Sequence, residues 1–307
     1  MYPLKSQQRT PANVQGGDKF RFKQVFQGPH TTIQLLMVDS NWRRVLKSLK
    51  AIYKAGAHGV ILLSRDPKIK HEHIIRIYEI ARKWYPRWWI GANLSDACQT
   101  RAAIKIPSTA SALWLSNIGI NSANNLDPYA VPEFVKHQRH KRKLKTLLFG
   151  GFSLKDPERI DRHLITMMVT AVKRKYVDII VLGNEKGSPP SVQVIEEVRA
   201  AVGDFPLAIV GRMRPGDILK HRDAAGYHRL LYLVDCFIPC SPYVQSHAHS
   251  TSNVEEFMRI TLAMDPNEQP PSQRSQYNLP PWRVRKKLLE RVPFAVQEVR
   301  QELAVAS

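Results

Sequence analysis

Residues 146–182, TLLFGGFSLKDPERIDRHLITMMVTAVKRKYVDIIVL, decide the fold. The segment opens with an apolar run at 146–152 and closes with a second apolar run at 177–182. Neither run alternates with polar residues, which is typical of strands buried on both faces of a parallel sheet. Between them, apolar residues recur at three- and four-residue spacing over 157–175, which predicts a helix. The segment is therefore one β/α/β unit.

The same rhythm returns about eight times along the chain. Eight such units match the usual length of a (β/α)8 TIM barrel, about 250 residues, and we predict that fold. The alternative is an open doubly wound sheet, which would follow if residues 112–115 were too few to form a strand. The predicted strands are 32–38, 59–63, 88–93, 112–115, 146–152, 177–182, 206–210 and 234–239.

Helical patterns separate most of these runs. In residues 41–55, one face is apolar, and Asn41 or Ser40 is expected to cap the helix. The predicted helices are 41–55, 72–85, 132–141, 157–175, 191–202 and 253–264.

The chain outside the barrel has a different composition. Residues 1–30 are polar and basic and predict an irregular tail, and 31–264 form the barrel. Residues 265–281, DPNEQPPSQRSQYNLPP, predict a linker. Residues 282–307 predict an amphipathic C-terminal helix that Pro293 kinks. We expect this helix to dock on the barrel or on a second subunit, so a homo-oligomer is one of the open alternatives.

Several functional classes are disfavoured. No stretch approaches the roughly 20 apolar residues of a membrane span, and we expect a cytoplasmic protein, with organelle import through the basic residues 1–21 as an open alternative. Cys98, Cys236 and Cys240 do not make a disulfide framework or a zinc site. Two His-x-His motifs, at 71–73 and 247–249, lack completing ligands nearby in sequence, so we expect no metal and no cofactor.

The net charge of +20 calls for a polyanionic partner, since a small domain needs a net charge of only about 2–8 to stay in solution. The densest cluster is residues 136–145, KHQRHKRKLK. Two or three cations at a helix C-terminus complement its dipole, which does not account for the whole cluster. We expect RNA or an acidic protein to bind here, with a merely solvated surface as the alternative. The candidate residues are Lys136, Arg139, Lys141, Arg142, Lys143 and Lys145.

Barrel chemistry occurs at the C-terminal ends of the strands. The polar residues predicted there are rich in amides and short of carboxylates, and the catalytic candidates are Asp39, Asn93, Asn117 and Glu185. The alternative role of Asp39 is to cap the helix that follows it. Loops after strands seven and eight often bind phosphate through backbone N–H groups. The phosphate-binding candidates are Gly211, Arg212, Arg214 and Ser241.

Five short motifs resemble the BtpA-like group of TIM-barrel proteins, which includes the photosystem I biogenesis protein BtpA. The motifs, in the same order as in that group, are WIGANL at 89–94, LWLSNIGI at 113–120, FGGF at 149–152, PLAIVG at 206–211 and DCFI at 235–238. The resemblance implies a ribulose-phosphate-type barrel with a ligand at the strand C-termini. The chain departs from the group where Ser116 replaces an acidic residue, at Asn184-Glu185-Lys186 in the sixth loop, and at residues 239–242.

Two functions therefore compete. The first is binding or turnover of a phosphorylated sugar or nucleotide-type small molecule at the C-terminal ends of the strands. The alternative is a non-catalytic barrel, a pseudoenzyme scaffold, that binds RNA or another anionic assembly through its basic face.

Overall fold

Eight parallel strands close into a barrel in the order β1 to β8 in a computed structural model of the chain. The structure describes residues 20–26, 30–94, 97–116, 118, 120, 127–184, 187–220, 229–240, 255 and 258. The strands are β1 Thr31–Met37, β2 Gly59–Leu63, β3 Trp89–Ala92, β4 Ala112–Ser116, β5 Leu147–Leu154, β6 Ile179–Asn184, β7 Leu207–Gly211 and β8 Cys236–Pro239. The predicted (β/α)8 barrel is confirmed, and the open sheet is excluded because β4 pairs with both β3 and β5 and β8 pairs with β1.

Each predicted strand lies within two residues of the observed one, whereas the helices differ more. Helix α6 begins at Arg162 and not at residue 157, because the side chain of Asp161 accepts a hydrogen bond from Leu164 N and caps it there. Asn41 caps α2 in the same way, as predicted. The helices α1, α4, α8 and α9 were not predicted. The described helices are α1 Arg21–Val25, α2 Trp42–Lys54, α3 His71–Trp84, α4 Gln99–Lys105, α5 Ala130–Lys141, α6 Arg162–Lys173, α7 Val192–Val202, α8 Pro215–Leu219 and α9 Arg229–Leu233.

Alternate residues of each strand face the barrel interior, where they form one apolar cluster separate from the outer helix layer. One glycine makes room for the largest of these side chains. A Cβ on Gly151 would lie 2.2 Å from Nε1 of Trp114, so the indole occupies the space that the glycine leaves. Trp114 and Leu63 thus belong to an apolar interior below the C-terminal end of the barrel.

Helix α1 closes the N-terminal end of the barrel. Phe22, buried to 1% exposure, packs 6.2 Å from the ring of Phe149, and Phe26 packs 5.4 Å from Trp89. The sequence predicted an irregular tail here, and this short helix is a departure from that prediction. Its cause is tertiary: the two phenylalanines are buried against the barrel's own interior aromatic rings.

A repeated arrangement fixes the strand starts at this end. In four places the residue just before an even-numbered strand accepts a hydrogen bond from a backbone N–H at the start of the preceding odd-numbered strand. The acceptor side chains are those of His58, Ser111, Asp178 and Asp235, and the donors are the N–H groups of Thr32, Ile90, Leu148 and Leu207, at 2.8–3.1 Å.

Three of these four acceptors also bind an arginine from the helix that precedes the odd-numbered strand of the pair. Arg82 donates to Ser111 at 3.2 Å, Arg139 pairs with Asp178, and Arg199 donates to Asp235 at 2.8 Å. Arg199 is only 2% exposed, and its remaining donors bond the carbonyls of residues 203, 205 and 233. A buried charge is tolerated when its partners satisfy it to this degree.

Several predicted segments lie outside the described residues: the tail before residue 20, the linker at 265–281 and the C-terminal helix at 282–307. Of the predicted helix 253–264, only Glu255 and Met258 are described; both are helical, and Met258 is buried in the core. Among the described helices, none combines the length and the apolarity needed to cross a bilayer. The cytoplasmic location stays a prediction.

Candidate functional site

Two arginines and a cysteine lie together at the C-terminal end of the barrel. Arg65 follows β2, Arg212 follows β7, and Cys240 follows β8. Burial raises the pKa of the Cys240 thiol, and the positive charges of Arg65 and Arg212 oppose that rise. The strand order places the ends of β2 and β7 on either side of β1 and β8, and the N–H of Cys240 bonds the carbonyl of Gly211, next to Arg212, at 2.8 Å. Both arginines are exposed, and Cys240 is half-buried.

Glycine 187 sets the position of Arg212. A Cβ on Gly187 would lie 3.3 Å from Nε of Arg212, so the guanidinium group rests against the bare backbone of the loop that follows β6. Gly187 has a φ of +79°, a conformation that favours glycine. The carbonyl of Gly187 also accepts the backbone N–H of Arg212 at 2.8 Å. The loop after β6 thus holds both the backbone and the side chain of this arginine.

The backbone N–H groups of the loop after β7 are already bonded within the fold. The N–H of Arg212 bonds Gly187, that of Met213 bonds the carbonyl of Gly211 at 2.9 Å, and that of Arg214 bonds Oδ2 of Asp217 at 2.7 Å. The sequence analysis expected such N–H groups to bind phosphate. Here Asp217 supplies the negative charge at the start of α8 in place of a ligand. Side chains, and not backbone amides, are the donors that this loop presents.

Gly211 has a packing role. A Cβ at this position would lie 2.7 Å from the backbone nitrogen of Pro189, so the loop after β6 packs directly against this glycine. The carbonyl of Gly211 accepts the N–H of Cys240 at 2.8 Å. The close approach that the glycine permits is taken up by another loop of the chain.

Asp39 is bound to the helix that follows it. Its Oδ1 accepts the backbone N–H of Asn41 at 2.7 Å, and its Oδ2 pairs with Arg44. Asp39 thus binds the residues at the start of α2, whose N-cap is Asn41, and a catalytic role for Asp39 stays a prediction.

Asn93 follows β3 and continues the alternation of its inward-facing residues. The residue is 8% exposed, and its N–H bonds the carbonyl of Leu62 at 2.8 Å. Asn184, at the end of β6, donates from Nδ2 to the carbonyl of Leu154 at 3.1 Å and so ties the ends of β5 and β6 together. The remaining candidates at this end lie outside the described residues: Asn117, Glu185 and Ser241.

The six basic candidates of residues 136–145 divide into two groups. Arg139 pairs with buried Asp178, and burial lowers its pKa while that carboxylate opposes the change. Arg142 bonds the C-terminal carbonyls of α4 at residues 103 and 106, at 2.7 and 2.8 Å, and Lys136 bonds the carbonyl of Arg174 at 3.0 Å. These three side chains serve the fold. The other three are exposed: Lys141, Lys143 and Lys145.

Arg65 was absent from the candidate set, although a signal for it exists. Ile61 and Leu63 face the barrel interior, and residue 65 continues that alternation past the end of β2. Arg212 follows inward-facing Val210, and Cys240 follows inward-facing Ile238, by the same two-residue step. Counting two residues past the last inward-facing residue of β2, β7 and β8 predicts Arg65, Arg212 and Cys240 at this end of the barrel.

Comparison with known proteins supports the fold. The chain matches (S)-3-O-geranylgeranylglyceryl phosphate synthase from Thermoplasma acidophilum, solved with its substrate sn-glycerol-1-phosphate, at 10% identity and a TM-score of 0.53 over 78% of this chain and 96% of that one. It also matches a protein of Aquifex aeolicus VF5 at 13% identity and a TM-score of 0.52, over 78% of this chain and 97% of that one. No protein-family profile and no curated protein matches the sequence.

Proposed function

We propose that the C-terminal end of the barrel binds a phosphorylated sugar or nucleotide-type small molecule. The observation that carries this proposal is that two exposed arginines, Arg65 and Arg212, each follow the last inward-facing residue of a strand at this end, on either side of β1 and β8. Guanidinium groups bind phosphate through charge-assisted hydrogen bonds, and two of them suit a doubly charged phosphate ester.

Further support comes from the surroundings of this pair. The interior below it is apolar, with Leu63 and Trp114, and suits the uncharged part of a ligand. In barrels of this fold, ligands bind at the C-terminal ends of the strands. A neighbour of the same fold was solved with sn-glycerol-1-phosphate, and the BtpA-like resemblance implies a ligand at this end too. Catalytic roles for Asn117 and Glu185 stay predictions.

Calorimetric titration with ribose 5-phosphate tests the proposal. We expect Arg212→Gln and Arg65→Gln each to weaken binding about tenfold or more, because a hydrogen bond to a charged group contributes roughly 1.5–3 kcal/mol. Arg159→Gln changes an exposed arginine in the loop after β5 and should leave affinity unchanged. Ribose without phosphate is the ligand control. Binding of ribose 5-phosphate that survives both arginine substitutions would overturn the proposal.

A second candidate function, the binding of an anionic macromolecule at the N-terminal end, is favoured by one observation. Lys141, Lys143 and Lys145 are exposed, whereas Lys136, Arg139 and Arg142 bond within the fold. RNA and an acidic protein are the partners that the charge fits. Exchange of the three exposed lysines for glutamine should abolish such binding without destabilising the barrel, and unchanged binding would exclude this surface.

A further inference from the structure

A basic rim follows the N-terminal end of the barrel. It consists of four consecutive corners, each at the point where a helix ends and the next strand begins: residues 82–88, 104–111, 140–147 and 172–177. Every corner carries lysine or arginine, and the acidic residue directly after the fourth corner, Asp178, is buried and paired with Arg139. The next corner around the barrel, after α7, carries Asp204 and ends the run. The charge is therefore arranged as a continuous arc of one sign.

Contacts between neighbouring corners make the rim one surface. Arg82 reaches from the first corner to the carbonyl of Thr109 in the second, at 3.2 Å. Arg142 reaches from the third corner back to the carbonyl of Ile106 in the second, at 2.8 Å. Lys136 of α5 bonds the carbonyl of Arg174 in the fourth corner at 3.0 Å. These three contacts hold the corners together. The exposed lysines and arginines beside them therefore lie at fixed positions along the arc.

Two lysines of the rim occupy backbone conformations that favour glycine. Lys143 has a φ of 50° and Lys175 a φ of 57°, each just after the end of a helix. At the matching position after α2, the second residue beyond the helix end, the chain has glycine, Gly56. A side chain in this conformation costs about 1–2 kcal/mol relative to glycine. The rim carries an exposed lysine at both positions in spite of that cost.

One aromatic side chain of the rim is available to a ligand. Trp84 is 51% exposed, between Lys83 and Arg87 in sequence. Its neighbours are committed elsewhere: Trp88 donates from Nε1 to the carbonyl of Ala57 at 2.9 Å, and Tyr85 stacks on Tyr53 at 4.1 Å. Packing at this corner accounts for Trp88 and Tyr85 but leaves half of Trp84 in solvent. An exposed indole beside cations is a stacking platform for an unpaired base.

We propose that the basic rim binds single-stranded RNA, with phosphates on its lysines and one base stacked on Trp84. This inference rests on the second candidate function and names its partner. The arc of positive charge follows a phosphate backbone, and the indole distinguishes nucleic acid with unpaired bases from an acidic protein or a duplex, whose bases are already stacked.

The test is fluorescence anisotropy with a labelled single-stranded RNA of about 20 nucleotides and with the same sequence as a duplex, at about 50 and 200 mM salt. We expect Trp84→Ala to weaken binding of the single strand about tenfold and to leave the duplex unaffected. Trp42→Ala is the matched control, because Trp42 is 48% exposed at the opposite end of the barrel and should not contribute.

A double variant distinguishes a loss of RNA binding caused by the loss of positive charge from one caused by a less stable fold. Lys143→Gly with Lys175→Gly removes two charges and two unfavourable backbone conformations, so RNA binding should weaken about tenfold while the midpoint of thermal unfolding rises. Loss of binding caused by misfolding would instead lower that midpoint.

The outcomes are distinguishable. No binding of either RNA form at low salt, in the intact protein, would overturn both this inference and the second candidate function. Binding that depends on Lys141, Lys143 and Lys145 but is equal for single strand and duplex, and unaffected by Trp84→Ala, would overturn the inference and leave the second candidate function standing. Equally tight binding of polyaspartate would overturn it as well.

Discussion

The two ends of the barrel use arginine in opposite ways. At the N-terminal end, Arg82, Arg139 and Arg199 bond side chains that fix the starts of neighbouring strands, and Arg199 is almost fully buried. At the C-terminal end, Arg65 and Arg212 are exposed and lie on either side of β1 and β8. A positive charge that the fold satisfies stabilises the barrel, whereas a positive charge held in place but open to solvent is available to a ligand.

The largest loss of stability is expected in the buried hydrogen-bond network around Asp235 at the N-terminal end. Asp235→Ala should destabilise the protein by about 3–5 kcal/mol, because it leaves the guanidinium of Arg199 and the N–H of Leu207 without their buried acceptor. Urea-induced unfolding measures the effect. Asp39→Ala is the matched control at the other end: its carboxylate only accepts the N–H of Asn41 and pairs with Arg44, so the loss should be about 1 kcal/mol. Equal losses of stability in Asp235→Ala and Asp39→Ala would contradict the difference between the two ends of the barrel.

A second prediction concerns the close packing of Gly211 against Pro189 at the C-terminal end. Gly211→Ala should destabilise the fold by about 1–3 kcal/mol, since the new methyl group would meet the backbone of Pro189. Gly216→Ala lies in α8 of the same loop region, where a Cβ meets nothing within 4 Å, and should be neutral or slightly stabilising. Thermal unfolding of the two variants gives the answer, and a neutral Gly211→Ala would mean that the loop after β6 moves aside.

The third prediction is a pH dependence at the N-terminal end. Burial lowers the pKa of His58 below its ordinary value of 6.5. Its Nδ1 accepts the N–H of Thr32, a bond that needs this nitrogen unprotonated. The unfolded chain therefore takes up a proton at a higher pH than the folded chain, and stability is lost as the pH falls below about 6.5. His58→Gln should flatten the dependence of unfolding free energy on pH between about 7.5 and 5.5. Identical slopes for variant and parent protein would assign the dependence to another group.

The smallest effect is expected at the helix ends of the N-terminal rim. Lys143→Gly should stabilise the fold by roughly 0.5–1 kcal/mol, because it relieves a positive φ. Gly56→Ala is the reverse experiment: a Cβ there meets nothing within 4 Å, so the loss of stability reports backbone conformation alone. Changes of the same sign in the two variants would contradict this account of the lysine.

The fold was predictable because eight apolar runs without alternation leave few architectures, and each strand was placed within two residues. The network at the N-terminal end was not predicted, since Arg199 and Asp235 are 36 residues apart and meet only when the barrel closes. A signal did exist: Val-Asp stands at the start of both the sixth and the eighth apolar run, at 177–178 and 234–235. The same two residue types at matching positions indicate a common role.

The sequence predicted only part of the candidate site, again because some of its contacts join residues that are far apart in sequence. Arg212 follows from the general position of phosphate sites in these barrels. The phosphate-binding role given to backbone N–H groups does not follow from the structure. The N–H of Arg212 already bonds Gly187, and the N–H of Arg214 already bonds Asp217. Arg139 and Arg142 belonged to a charge cluster in sequence, and only their tertiary partners distinguish them from the exposed lysines beside them.

The most direct test is urea-induced unfolding of Arg212→Gln and Arg199→Gln, each with and without ribose 5-phosphate at about 100 times its dissociation constant. The account predicts that Arg212→Gln unfolds like the parent protein without ligand and loses the ligand's stabilisation of about 2.7 kcal/mol. Arg199→Gln should lose several kcal/mol without ligand and retain that stabilisation. An unstable Arg212→Gln, or a stable Arg199→Gln that no longer responds to the ligand, would contradict the division of roles between the two ends.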